Sequence, residues 1–150
     1  MLKIIVALFV VSVVVVAALY FSAPKPTVME FQTYEEAVTG DAYRDHWIPD
    51  VMPYSATDIH LVYEVDSGFL NLQFSYAVVD EAFMLRSFEA IDASDEAEVI
   101  LSRLNQMAWK TTITDNAIVY VPTGIKEQQL DWKIYLAIDQ SRQIAWYSVD

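Results

Sequence analysis

Cysteine is absent from this chain of 150 residues. That excludes a disulfide framework, a thiolate zinc site, a cysteine nucleophile and a lipidated N-terminal cysteine. Glycine is scarce, and the three present leave no Gly-x-Ser-x-Gly elbow and no phosphate-cradling loop. Histidine is scarcer still. His46 adjoins Asp45 and Trp47, His60 follows Asp58 and Ile59, and no third ligand stands at a zinc-like spacing. Both histidines therefore read as structural or surface groups. Basic residues number 9 against 21 acidic ones, for a net charge of −12. A chain so poor in Lys and Arg is not built to neutralise nucleic-acid phosphates, and no nucleic-acid partner is expected. The length excludes a barrel enzyme or a two-domain dehydrogenase.

What the chain has in excess is apolar surface, 55% of its residues. Much of it sits in Ile4–Phe21, where Ser12 is the one polar side chain. As a helix this run would measure roughly 27 Å, the thickness of a bilayer's hydrocarbon layer. Lys3 before it predicts a cytoplasmic N-terminus. A cleaved signal peptide is the competing reading. Its apolar run would be shorter; Ala23 has bulky Phe21 two residues before it, and Val16-Ala17-Ala18 lies inside the run. The expectation is a signal anchor over 1–23, a linker over 24–32 containing Pro24-Lys25-Pro26, and an extracytoplasmic domain over 33–150. The membrane would be the inner (cytoplasmic) one, crossed once by residues 4–21. Residues 24–150 carry 8 basic and 21 acidic residues, a net of −13. No internal sequence repeat appears.

Thr33-Tyr34-Glu35-Glu36 reads as a capping box and predicts a helix over Tyr34–Thr39, stopped at Gly40. Asp41–Tyr54 reads as irregular, and Ser55-Ala56-Thr57-Asp58 as a tight turn. Period-two alternation predicts strands at Ile59–Glu64 and Phe69–Tyr76, joined through Asp66-Ser67-Gly68. Asp80–Ile91 is ambiguous, with Met84, Phe88 and Ile91 at helical spacing. A helix capped by Ser94 carries the stripe Ala97, Ile100, Leu101, Leu104 and Ala108. Strand-like runs follow at Trp109–Thr114, Ala117–Val121, Leu130–Asp139 and Gln143–Val149, the last two turning at Asp139–Arg142. The expected fold is α+β: an N-terminal transmembrane helix, then two layers. A twisted antiparallel sheet of four to six strands would carry two to three helices over one face.

The run Phe31-x-Thr33-Tyr34-Glu35-Glu36-Ala37, then Trp47-Ile48-Pro49 and Pro53-x-Ser55-Ala56-Thr57-Asp58-Ile59, and a hairpin ending in Phe74, resembles the YbbD head domain family. Members are small exported modules, found alone behind a membrane anchor or attached to larger proteins. The resemblance spans about a third of the chain and implies fold and location; no catalytic motif of the family maps here. Trp47, Pro49, Pro53, Ser55 and Ile59 form the candidate structural motif.

Carboxylates are plentiful, but a glycosidase-like pair must be held about 5–9 Å apart across a cleft, which spacing among Asp45, Asp50, Asp58 and Glu64 does not establish. Asp92-Ala93-Ser94-Asp95 lacks the central glycine of a calcium loop. No metal, cofactor or catalytic residue is expected. Seventeen aromatics follow the anchor; Trp47, Tyr54, Trp109, Trp146 and Tyr147 exceed what a small core needs, and Trp109 and Trp146 are the candidates for an exposed contact patch beyond the core. The leading expectation is a non-enzymatic, membrane-anchored interaction module with a protein or ligand partner in the envelope. The alternatives are a small envelope enzyme or enzyme accessory acting on glycan, and an immunity or exclusion factor that binds a basic partner.

Overall fold

The computed structural model describes residues 11–13, 25–91, 95–107, 109–123 and 134–149. Residues 11–13 are helical. The rest of the expected anchor, the Ser94 cap, Ala108 and residues 130–133 of the expected strand lie outside the described residues. Among the described residues no helix is long and apolar enough to cross a membrane.

Seven strands form one antiparallel sheet: β1 (Thr27–Thr33), β2 (Thr57–Tyr63), β3 (Leu70–Ser75), β4 (Phe88–Ala90), β5 (Ile118–Pro122), β6 (Ile134–Asp139) and β7 (Ile144–Val149). Their spatial order is β1-β2-β3-β7-β6-β5-β4. Helix α1 (Tyr34–Thr39) and α2 (Asp41–Arg44) link β1 to β2, α3 (Glu81–Met84) precedes β4, and α4 (Asp95–Leu104) links β4 to β5. The sheet is wider than the expected four to six strands. Residues 27–33, expected as linker, form its edge strand: Met29 and Phe31 point to the core while Val28, Glu30 and Gln32 remain exposed.

The capping box is present. Thr33 Oγ1 accepts from the Glu36 amide at 3.3 Å, and Glu36 accepts from the Gln32 amide at 2.7 Å. Gly68 takes φ 72° in the β2–β3 turn, a conformation that spares glycine the Cβ clash other residues meet. Asp80–Ile91 resolves into a 3₁₀ turn, α3, a second 3₁₀ turn and β4.

Two apolar layers cover opposite faces of the sheet, which corrects the expectation of helices over one face. The near face carries Ala37, Ala42, Ile59, Leu61, Leu72, Phe74, Leu136 and Tyr147. The far face carries Ile100, Leu104, Ile113, Val119, Tyr135, Ala137 and Trp146. The reason lies in a repeat of element order that the sequence does not display. Strand–helix–strand–strand occurs twice, as β1-α-β2-β3 and β4-α4-β5-β6, and the sheet order is palindromic about β7. The registers run β1 and β4 in the same direction, so the relating axis lies in the sheet plane along β7. Such an axis exchanges the faces: α1 and α2 cover one, α4 the other.

Trp109–Thr114, expected as a strand, crosses the far face without joining a ladder. Its polar groups bond side chains instead: the Thr111 amide donates to Gln73 Oε1 at 2.8 Å, and Gln73 Nε2 donates to Thr111 Oγ1 at 3.2 Å. Under the same crossing, Ser148 Oγ donates to Asn71 Oδ1 at 2.9 Å. The buried Asn71 Nδ2 has no partner among the described residues, a loss of about 1–3 kcal/mol. Asp139 anchors the β6–β7 turn, accepting from Ser141 Oγ at 2.6 Å, Thr114 Oγ1 at 2.5 Å and the Arg142 amide at 3.1 Å.

Two predictions follow from this packing. Trp146 is fully buried, so Trp146→Ala should cost about 3–5 kcal/mol in chemical denaturation, and a variant as stable as the parent would place the far-face layer wrongly. The hydroxyls of Ser141 and then Thr114 hold the Asp139 carboxyl below its ordinary pKa. The stability it contributes is complete above that ordinary value and is lost as pH falls through the depressed folded value. Below about pH 4 the parent should therefore lose stability more steeply than Asp139→Asn; identical slopes would show that Asp139 is not the group responsible.

Candidate functional site

The strand registers place Thr27, Tyr63, Leu70, Val149 and Ile134 in one transverse row, and the Phe88–Pro122 pair continues it. A groove of about 490 Å³ opens on the near face at this end of the sheet. Its floor is Leu70, Tyr147 and Val149. One wall is the segment from His46 to Val51, and the other is formed by Phe83, Arg86 and Phe88.

The first wall is set by how α2 ends. His46 donates its amide to the Tyr43 carbonyl at 3.0 Å, and Trp47 donates to the Ala42 carbonyl at 2.8 Å. With His46 at φ 64°, this is a Schellman cap with histidine where glycine is usual. A left-handed conformation costs a residue with a Cβ about 1 kcal/mol or more. The cap turns Trp47 toward the sheet, where its ring stacks on Tyr63 with centroids 4.5 Å apart and planes at 25°. Pro49 then begins a turn closed by the Met52 amide, and Pro53 a second closed by the Ala56 amide. Ser55 Oγ accepts from the Ala77 amide at 3.0 Å, so it ties this segment to the chain after β3 rather than to its own turn. Pro53 and Ile59 are buried and Trp47 half-buried.

The groove is polar at its lips and apolar beneath. Arg86 lies over the Phe83 ring, 4.4 Å from its centroid. Among the described residues neither the Arg86 guanidinium nor the Asp50 carboxylate makes an ion pair. Burial, and then the nearby Asp50 carboxylate, push the Tyr147 phenol above its ordinary pKa. Nothing among the described residues hydrogen-bonds that hydroxyl.

Other candidates fall elsewhere. Trp146 is wholly enclosed on the far face, with Nε1 donating to the Thr111 carbonyl at 3.1 Å. Trp109 is half-buried there and donates Nε1 to the Leu104 carbonyl at 2.6 Å. Both pack into the far-face layer, which removes Trp146 as an exposed contact and leaves Trp109 an incomplete one. His60 Nδ1 lies 3.3 Å from Glu30 Oε1 across β1 and β2, and Asp58 pairs with Lys110 at 2.7 Å. No group of three His, Cys, Asp or Glu able to hold a metal occurs among the described residues. Phe83 and Arg86 are not among the sequence candidates, and Tyr147 is one only as a surplus aromatic; they converge from separate segments, and spacing carries no sign of that.

Residues 26–75 match the model of the YbbD head domain family, the family the motif residues resemble. The match ends with the last residue of β3 and takes in β1–β3, the first wall and Leu70. The second wall, Tyr147 and Val149 come from outside that match. No curated protein and no solved structure matches the chain.

Two substitutions should move stability in opposite directions. Trp47→Ala removes the stack on Tyr63 and should cost about 1–3 kcal/mol for a half-buried ring. His46→Gly relieves the left-handed backbone and should stabilise by up to about 1 kcal/mol. Thermal or denaturant unfolding reads both; a destabilised His46→Gly would show that the imidazole holds the wall through contacts that outweigh its backbone strain.

Proposed function

We propose that the protein is a single-pass membrane protein whose extracytoplasmic domain is a non-catalytic binding module, with the near-face groove as its ligand site. The observation that carries this is the groove itself. It is an amphipathic recess of about 490 Å³, within the range of small-ligand sites, and it gathers Asp50 and Arg86, neither ion-paired among the described residues, and Tyr147 over an apolar floor. His46 supports the reading, since a strained residue at the lip is the kind of feature that clusters at binding sites. The lining brings one carboxylate, Asp50, where acid/base glycan cleavage needs two. The apolar run Ile4–Phe21 behind Lys3 supports the anchor, and the resemblance to exported, anchored modules agrees with it.

Two measurements test this. Intact mass of membrane-extracted protein should include residues 1–23, and a chain beginning at Leu19 or Pro24 would contradict the anchor. A photo-crosslinking side chain at Ser87, in the groove, should yield a discrete adduct in cells, whereas one at Gln106 on the far side should not. Adducts from Gln106 alone would move the binding surface away from the groove.

A further inference from the structure

We propose that the groove faces the bilayer and holds the headgroup of a zwitterionic phospholipid with a primary amine; this deepens the function proposed above and rests on its anchor. Chain polarity supplies the orientation. An anchor ending at Phe21 leaves residues 22–26 before β1 starts at Thr27, and five residues reach at most about 17 Å. Thr27 lies in the transverse row that also contains Leu70 and Val149 of the groove floor. Seven residues of strand extend about 23 Å, so the other end of β1, at Thr33, lies beyond the reach of that spacer. The anchor therefore draws the grooved end of the sheet, rather than the opposite end, to the membrane surface.

Charge complementarity supplies the ligand. Arg86 stands on one wall and Asp50 on the other, and neither is ion-paired among the described residues. A guanidinium is suited to a phosphodiester, and a carboxylate to an ammonium that carries N–H donors. Tyr147 lines the same groove, and Leu70 and Val149 offer apolar surface to a glycerol stem. A quaternary ammonium would leave Asp50 without a donor. An anionic headgroup would meet the field of a segment, 24–150, with net charge −13.

The absence of cysteine allows single-site labelling of the full chain. Asp66→Cys places a fluorophore in the exposed β2–β3 turn at the grooved end, and Asn116→Cys places one in the exposed turn before β5 at the far end. The chain is embedded in nanodiscs of equal parts phosphatidylethanolamine and phosphatidylcholine that carry a headgroup-attached quencher. Quenching is expected at position 66 and not at 116. Native mass spectrometry of the same discs should show phosphatidylethanolamine co-retained about fivefold over phosphatidylcholine, the worth of one partly exposed charge-assisted contact. Asp50→Asn should abolish that preference, whereas Arg86→Gln should lower the retention of both lipids, since both carry the phosphodiester. Quenching at 66 without a headgroup preference overturns the lipid assignment and leaves the anchor standing. Stronger quenching at 116 overturns the proposal and leaves the anchor standing. No quenching at either site overturns the anchor and the proposal with it. Soluble glycerophosphoethanolamine that displaces the lipid at equal concentration would assign the groove to a free ligand and overturn the membrane source.

Discussion

The pairing of β3 with β7 is the constraint on which the rest of the structure depends. Leu70 opposes Val149 at one end and Ser75 opposes Ile144 at the other, across about half the length of the chain. This ladder joins the β1–β3 meander to the β4–β7 meander and places both strands in the middle of the sheet. Strands in the middle are covered on both faces, so each must fill two layers. Leu72, Phe74 and Tyr147 fill the near layer, while Trp146 fills the far one with Gln73, Asn71 and Ser148 beside it. Polar residues at such positions require bonded partners: Gln73 finds them at Thr111 of the crossing segment, while Asn71 and Ser148 bond each other.

The same pairing creates the groove. The head domain segment brings Trp47, Asp50 and Leu70, and the second half brings Arg86, Tyr147 and Val149. Neither half carries the recess alone. The wall at Trp47 is held by an α2 cap with a histidine in a backbone conformation that glycine adopts at no steric cost, and the charges on the two walls make no ion pair among the described residues. An opposed cation and anion over an apolar floor are the features by which an amphipathic zwitterion is distinguished from a purely apolar ligand.

Much of the fold was legible in the sequence where a local rule decides. The capping box placed Tyr34–Thr39 to the residue, Gly68 marked the β2–β3 turn, and alternation found β2 and β3. What failed was non-local. Leu70-Asn71-Leu72-Gln73-Phe74 has the pattern of a strand with one wet face, yet Asn71 and Gln73 are buried because residues 109–114 lie over them. β1 carries a weak alternation of Met29 and Phe31 behind a proline-rich spacer, and its outer row is exposed because it is an edge. Trp146 sits in a run whose neighbours Ala145 and Tyr147 face the opposite layer, so period two alone cannot say which face meets solvent. The structural motif Trp47, Pro49, Pro53 and Ile59 was readable as chain-path chemistry. Its partners across the groove were not, since Arg86 and Tyr147 reach it only through the folded sheet.

Native-state hydrogen exchange followed by mass spectrometry tests the central claim, that the two halves are one cooperative unit closed by β3 and β7. The account predicts that amides of β3 and β7 exchange slowest, together, and only through global unfolding. Exchange of β1–β3 as a separate unit, ahead of a still-protected β6–β7 hairpin, would contradict it.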